Sequence, residues 1–140
     1  MMNQVNFERI HGLMRNGLYS GCVAIITNEE AGEATLNQLS EKARQHYRSV
    51  SVFNLGKESP QQLTLRDSQL VVVHGFEQCS PQRPKAYAVR SALETRRHKK
   101  LFAILCLNRA AFRHHFCNPA HPFYHFCGEI EEGQISDLLD

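Results

Sequence analysis

No apolar run in the 140-residue chain approaches the ~20 residues needed to cross a bilayer. The first fifteen residues mix Asn, Gln, Glu, Arg and His with their apolar side chains, so they lack the continuous apolar region of a secretory signal. With 5 Pro and 8 Gly, the chain is neither collagen-like nor Pro-rich. Cysteine is odd in number, at 5, which does not suit a disulfide framework and points to a cytoplasmic protein with free thiols. There is no internal repeat and no low-complexity segment. None of the patterns G-x-S-x-G, G-x-G-x-x-G or C-x-x-C occurs.

What is present is an ordinary globular mixture, with 42% apolar and 21% charged residues. The length is that of one domain, enough to bury a single core. Apolar residues recur at helical spacing over 6–15 (Phe7, Ile10, Leu13, Met14), 35–47 (Leu36, Leu39, Ala43, Tyr47) and 84–97 (Ala86, Val89, Leu93). Short continuous apolar runs over 22–26, 50–55, 69–73 and 101–107 read as strands covered on both faces. Short helices are expected within 56–65 and over 110–117, a fifth strand over 123–127, and a helical turn over 134–139. Alternation of buried strands with amphipathic helices predicts an α/β fold: a three-layer α/β/α sandwich around a mostly parallel, roughly five-stranded sheet. A helical extension over 1–20, a core over 21–127 and an acidic tail over 128–140 would divide this single domain. Function in such sheets lies at the carboxyl ends of the strands.

The loop after the first strand, Thr27-Asn28-Glu29-Glu30-Ala31-Gly32-Glu33-Ala34, resembles in place and length the Walker A loop of a P-loop NTPase, G-x-x-x-x-G-K-[ST]. Thr27 stands at the first Gly, Gly32 keeps the second, Glu33 replaces the Lys and Ala34 replaces the Ser/Thr. The third strand, ending at His74, resembles a Walker B strand, with His74 at the magnesium-linked Asp and Glu77 three residues on. The fourth ends at Asn108, similar to the sensor strand of AAA+-type ATPases. The resemblance, to the AAA+/RecA-like group, covers about residues 21–109. It implies a degenerate, non-hydrolysing relative, because Glu33 would set a carboxylate against phosphate and repel it by several kcal/mol at ~4 Å. No enzyme activity is expected; a Cys/His nucleophile pair from His74 and Cys79, with Glu77, would need a proximity that sequence does not supply.

Charge is unevenly spread. Residues 83–113 hold nine basic side chains, among them Arg83, Lys85, Arg90, Arg96, Arg97, Lys99 and Lys100, against one acid, Glu94. After Gly128 come Glu129, Glu131, Glu132, Asp137 and Asp140 with no Lys or Arg. A basic surface and an acidic tail are expected. Cys117, His121, His125 and Cys127 form a Cys2His2 set of the kind that suits zinc, with His114 and His115 nearby, although their spacing matches no common finger. Two functional expectations follow, both without membrane insertion. One is a P-loop-like interaction or regulatory subunit, whose protein partner is another NTPase or an assembly component, or a further copy of itself. The other is a zinc-stabilised protein that binds nucleic acid through 83–113.

Overall fold

The computed structural model describes residues 10, 12, 14, 21–27, 33–76, 83–117, 119–120 and 128–131. The elements run β1 (Cys22–Thr27), α1 (Glu33–Arg44), β2 (Val50–Asn54), α2 (Pro60–Thr64), β3 (Leu70–His74), α3 (Arg83–His98), β4 (Phe102–Asn108), α4 (Arg109–Phe116) and β5 (Gly128–Glu131). The sheet order is β2-β3-β4-β1-β5. Every neighbouring pair is parallel: Val50 lies beside Leu70, Leu70 beside Phe102, Cys22 beside Ala103 and Val23 beside Gly128.

Parallel strands buried on both faces need no polar alternation, and β1, β3 and β4 have almost none. Their side chains divide by parity. Ala24, Ile26, Val71, Val73, Leu105 and Leu107 join Ala86, Val89, Leu93, Ala111 and Phe112 in one cluster. Val23, Ile25, Leu70, Val72, Ile104 and Cys106 join Leu36, Leu39, Ala43, Tyr47, Ile10 and Met14 in the other. The period of two sends alternate residues to opposite faces. Each fully buried Val, Leu or Ile contributes about 1.5–3 kcal/mol.

The order of the strands explains which helix lies on which face. The chain crosses the sheet in one direction from β1 to β2, then returns through β3 and β4 and steps over β1 to β5. Crossovers of one hand must then put α1 on one face and α2, α3 and α4 on the other, as the two clusters have it. The faces change between β1 and β4, so the topological switch point lies there.

The expected elements from 22 to 117 are found within two or three residues of their predicted bounds. The strand expected over 123–127 and the turn over 134–139 lie outside the described residues. The strand that pairs with β1 on the side away from β4 is Gly128–Glu131, inside the stretch read as an acidic tail. Its alternation of Gly, Glu, Ile and Glu is too short and too acidic to announce a strand by periodicity. No helix among the described residues is long and apolar enough to cross a membrane.

Candidate functional site

The carboxyl ends of β1 and β4 meet at the switch point, the place where open parallel sheets bind ligands. Thr27 and Asn108 are register partners there. Thr27 is buried, and its Oγ1 donates to the Leu107 carbonyl at 3.4 Å. Asn108 has an extended backbone and caps α4, its Oδ1 accepting the Ala111 N–H at 2.8 Å. Such a cap satisfies one of the four N–H groups that a helix start leaves open. Among the described residues, the polar side chains at the ends of β1 and β4 are therefore both tied to backbone.

β3 ends one strand further along. Its last residue, His74, is half-buried, and the His74 carbonyl accepts the Leu55 N–H at 2.8 Å. The chain then turns at Gly75, with φ of +87°. A Cβ at Gly75 would stand 2.5 Å from Asn54 Oδ1 and 3.0 Å from the Gly56 nitrogen. Phe76 is buried beneath the turn, and α4 holds it. His115 Nε2 lies 3.3 Å from the Phe76 carbonyl, which only accepts, so Nε2 carries the proton. The rings of His115 and Phe116 meet Phe76 edge-on at 5.8 and 6.2 Å, and Phe112 stacks on Phe116 at 5.2 Å. This anchor was missed in the sequence. The stripe Ala111, Phe112, His115, Phe116 carries the signal, since it marks His115 as inward.

Of the positions matched to a nucleotide site, Thr27, His74 and Asn108 are thus brought to one edge, with the strand of Asn108 between the other two. Glu33 and Ala34 open α1. Gly32 and Glu77 lie outside the described residues, as does Cys79.

The basic surface requires a correction. Arg96 does not belong to it, being 1% exposed. Its Nη1 donates to the Arg66 carbonyl at 2.8 Å, and its Nη2 to those of Ser68 at 2.8 Å and Phe102 at 3.0 Å. Its Nε is buried without a partner. Burial lowers its pKa to about 10, with the nearby Asp67 carboxylate opposing the shift and the Arg66 cation adding to it. Arg96 is inward because it falls on the α3 stripe of Val89, Ala92 and Leu93.

Nor do residues 83–113 form one face. α3 has sixteen residues, a length of about 24 Å. It starts at the carboxyl edge of the sheet, with Arg83 and Lys85, and ends at the amino edge before β4. Arg90 pairs with Glu94 at 3.1 Å, four residues along the same helix. Arg97 is half-buried, and Lys99 and Lys100 are exposed. Of the four zinc ligands expected, Cys117 is exposed at the end of α4, and His121, His125 and Cys127 lie outside the described residues. Among the described residues no three His, Cys, Asp or Glu are grouped as metal ligands would be.

Compared with protein-family models, curated proteins and solved structures, the chain matches none.

Proposed function

We propose that the chain is a three-layer, P-loop-NTPase-like domain without nucleotide chemistry, acting as a protein-interaction or regulatory subunit of a larger assembly. The observation that carries this reading is the pairing of Thr27 with Asn108 at the switch point. It brings a strand that resembles a Walker A strand beside one that resembles a sensor strand. The side chains on both are engaged with backbone, Thr27 to Leu107 and Asn108 to Ala111. The charges also favour a non-nucleotide role. Glu33 stands where the phosphate-binding Lys would be, and His74 where a magnesium-linked carboxylate would be. A cytoplasmic site of action suits Cys22 and Cys106, both buried in strands and neither in a disulfide.

Calorimetry with ATP and magnesium tests the reading directly. No magnesium-dependent binding in the micromolar range is expected, and no hydrolysis. Micromolar, magnesium-dependent affinity would overturn it. A tagged chain purified from its native cells should carry a protein partner in fixed stoichiometry, whereas isolation as a free monomer would remove the interaction role.

A further inference from the structure

The amino edge of the sheet gathers exposed cations from separate stretches of the chain. Among the described residues, three connections end on it, those leading to β2, β3 and β4. α1 ends with Lys42 and Arg44, followed by Arg48 before β2; α3 ends with Arg97, followed by Lys99 and Lys100 before β4. The nearest residues of these segments, Arg48 and Arg97, are 49 positions apart in the chain, so the sequence does not display them as one cluster. Gln69, just before β3, joins them. Its Oε1 accepts the Arg48 N–H at 2.6 Å, and its carbonyl accepts the Phe102 N–H at 2.8 Å. The rings of Tyr47 and Phe102 meet at 5.6 Å. β2 and β4 are two strand spacings apart, about 10 Å. Lys42, Arg44, Arg48, Lys99 and Lys100 are all exposed. Among the described residues, the exposed acids in these connections are Glu41 and Asp67.

Lys100 supplies a second, independent observation. Its φ is +61°, the one left-handed non-glycine residue among those described. It closes α3 in a Schellman motif, with the Leu101 N–H on the Arg96 carbonyl at 2.9 Å and the Lys100 N–H on that of Arg97 at 2.9 Å. Glycine is the residue that fits this position without strain. The chain keeps a lysine there, in a conformation that works against folding, and strain retained at an exposed charge points to use of that charge.

We propose that this amino edge binds the phosphate backbone of nucleic acid, without sequence selectivity, through Arg48, Lys99 and Lys100. A protein partner would want an apolar centre to the patch. Among the described residues the exposed large apolar side chains are Leu65, at the end of α2, and Tyr87, on α3, and neither lies in the segments 42–48 and 97–102 that carry the cations. The surface is separate from the switch-point edge, and neither reading needs the other.

The test is fluorescence anisotropy with a labelled 30-base-pair duplex across a salt series, on the full chain and three variants, each checked by thermal melting. The wild type is expected to bind in the range of about 10⁻⁴–10⁻⁶ M at physiological salt. Lys100→Gly is the decisive variant, because it should melt no lower than wild type while binding about eightfold more weakly at 0.1 M salt, the counterion release of one phosphate. Arg48→Ala with Lys99→Ala and Lys100→Ala should lower the log–log salt slope by about 0.9 for each phosphate no longer neutralised. Lys57→Ala, exposed at the other end of β2, should leave the slope unchanged. An unchanged slope in the triple variant, or undiminished binding by Lys100→Gly, would overturn the proposal. Displacement of the duplex by poly-glutamate at equal charge would also overturn it, in favour of an acidic protein partner.

Discussion

The Asn108 side chain accepts the Ala111 N–H at 2.8 Å, and so the polar residue at the end of β4 is the cap of the helix that follows it. Replacement by Ala leaves that N–H without its partner and should cost about 1 kcal/mol. Asn108→Asp should cost little, since a carboxylate accepts the same bond and favours the positive end of the helix dipole. Urea denaturation checks this: the midpoint should fall for Ala with an unchanged m-value. Equal stability of the Ala variant and the wild type would show that the side chain does not cap.

Gly75 allows a sharper expectation. The positive φ alone costs a side-chain-bearing residue about 1–2 kcal/mol. The Cβ of Ala would also stand 3.0 Å from the Gly56 nitrogen and 3.1 Å from that of Leu55, backbone atoms that cannot swing away, as well as 2.5 Å from Asn54 Oδ1. Asn54 Oδ1 is itself held by the Gly56 N–H at 2.8 Å. Gly75→Ala should therefore destabilise by more than about 2 kcal/mol, beyond the penalty of the backbone angle. Thermal melting would settle the matter, and a loss confined to the backbone penalty would mean that the β2 turn yields.

Most of this fold is legible in the sequence because burial writes its own pattern. Continuous apolar runs fix β1, β3 and β4, and the 3.6-residue stripe fixes α1 and α3. What is not legible depends on three-dimensional partners. Arg96 reads as one more cation in a basic run, because the three carbonyls that bury it come from segments 6 to 30 residues away. The basic stretch reads as one surface because a linear string does not show that α3 carries its two ends to opposite edges of the sheet. Asn108 reads as a sensor by position, although Asn directly before a helix equally signals a cap. Gly128–Glu131 reads as tail because its pairing with β1, and not its own side chains, makes it a strand.

Under the proposed P-loop-like reading, Glu33 and Ala34 are the positions at which a phosphate ligand and a magnesium-linked hydroxyl would be introduced. The reading offered for this domain predicts that Glu33→Lys with Ala34→Thr yields no ATP turnover above background. The exchange removes one repelling carboxylate and supplies a phosphate ligand and a hydroxyl. It leaves His74 at the end of β3, and an imidazole does not replace the hard oxygen ligand that magnesium demands. A phosphate-release assay checks the outcome, and measurable turnover by the double variant would reject the assignment of His74.

Arg96 should be the most costly of the basic residues in 83–113 to remove, because it is not on the surface. Its guanidinium ties the end of α3 to the starts of β3 and β4 through three backbone carbonyls. Arg96→Met fits the stem's space and relieves the desolvation of the charge, but it takes that donor from the Arg66 and Ser68 carbonyls and one bond from the Phe102 carbonyl. Each such group costs about 1–3 kcal/mol, so the net loss should be about 3 kcal/mol even after the relief. Arg96→Lys should fall between, since a single ammonium cannot reach in the same planar fork. The pH dependence has a definite sign. Burial lowers the folded-state pKa to about 10, below that of the unfolded chain. The unfolded chain therefore holds more proton only between about 10 and the ordinary arginine value, and only there does this residue make stability rise with pH. Below that window both states carry the full charge. The difference in stability between wild type and Arg96→Met, measured in urea at about pH 5.5 and about pH 8.5, should accordingly be the same. A difference that changed between those two values would mean that a carboxylate or imidazole, and not the backbone carbonyls, is the partner that holds Arg96 in place.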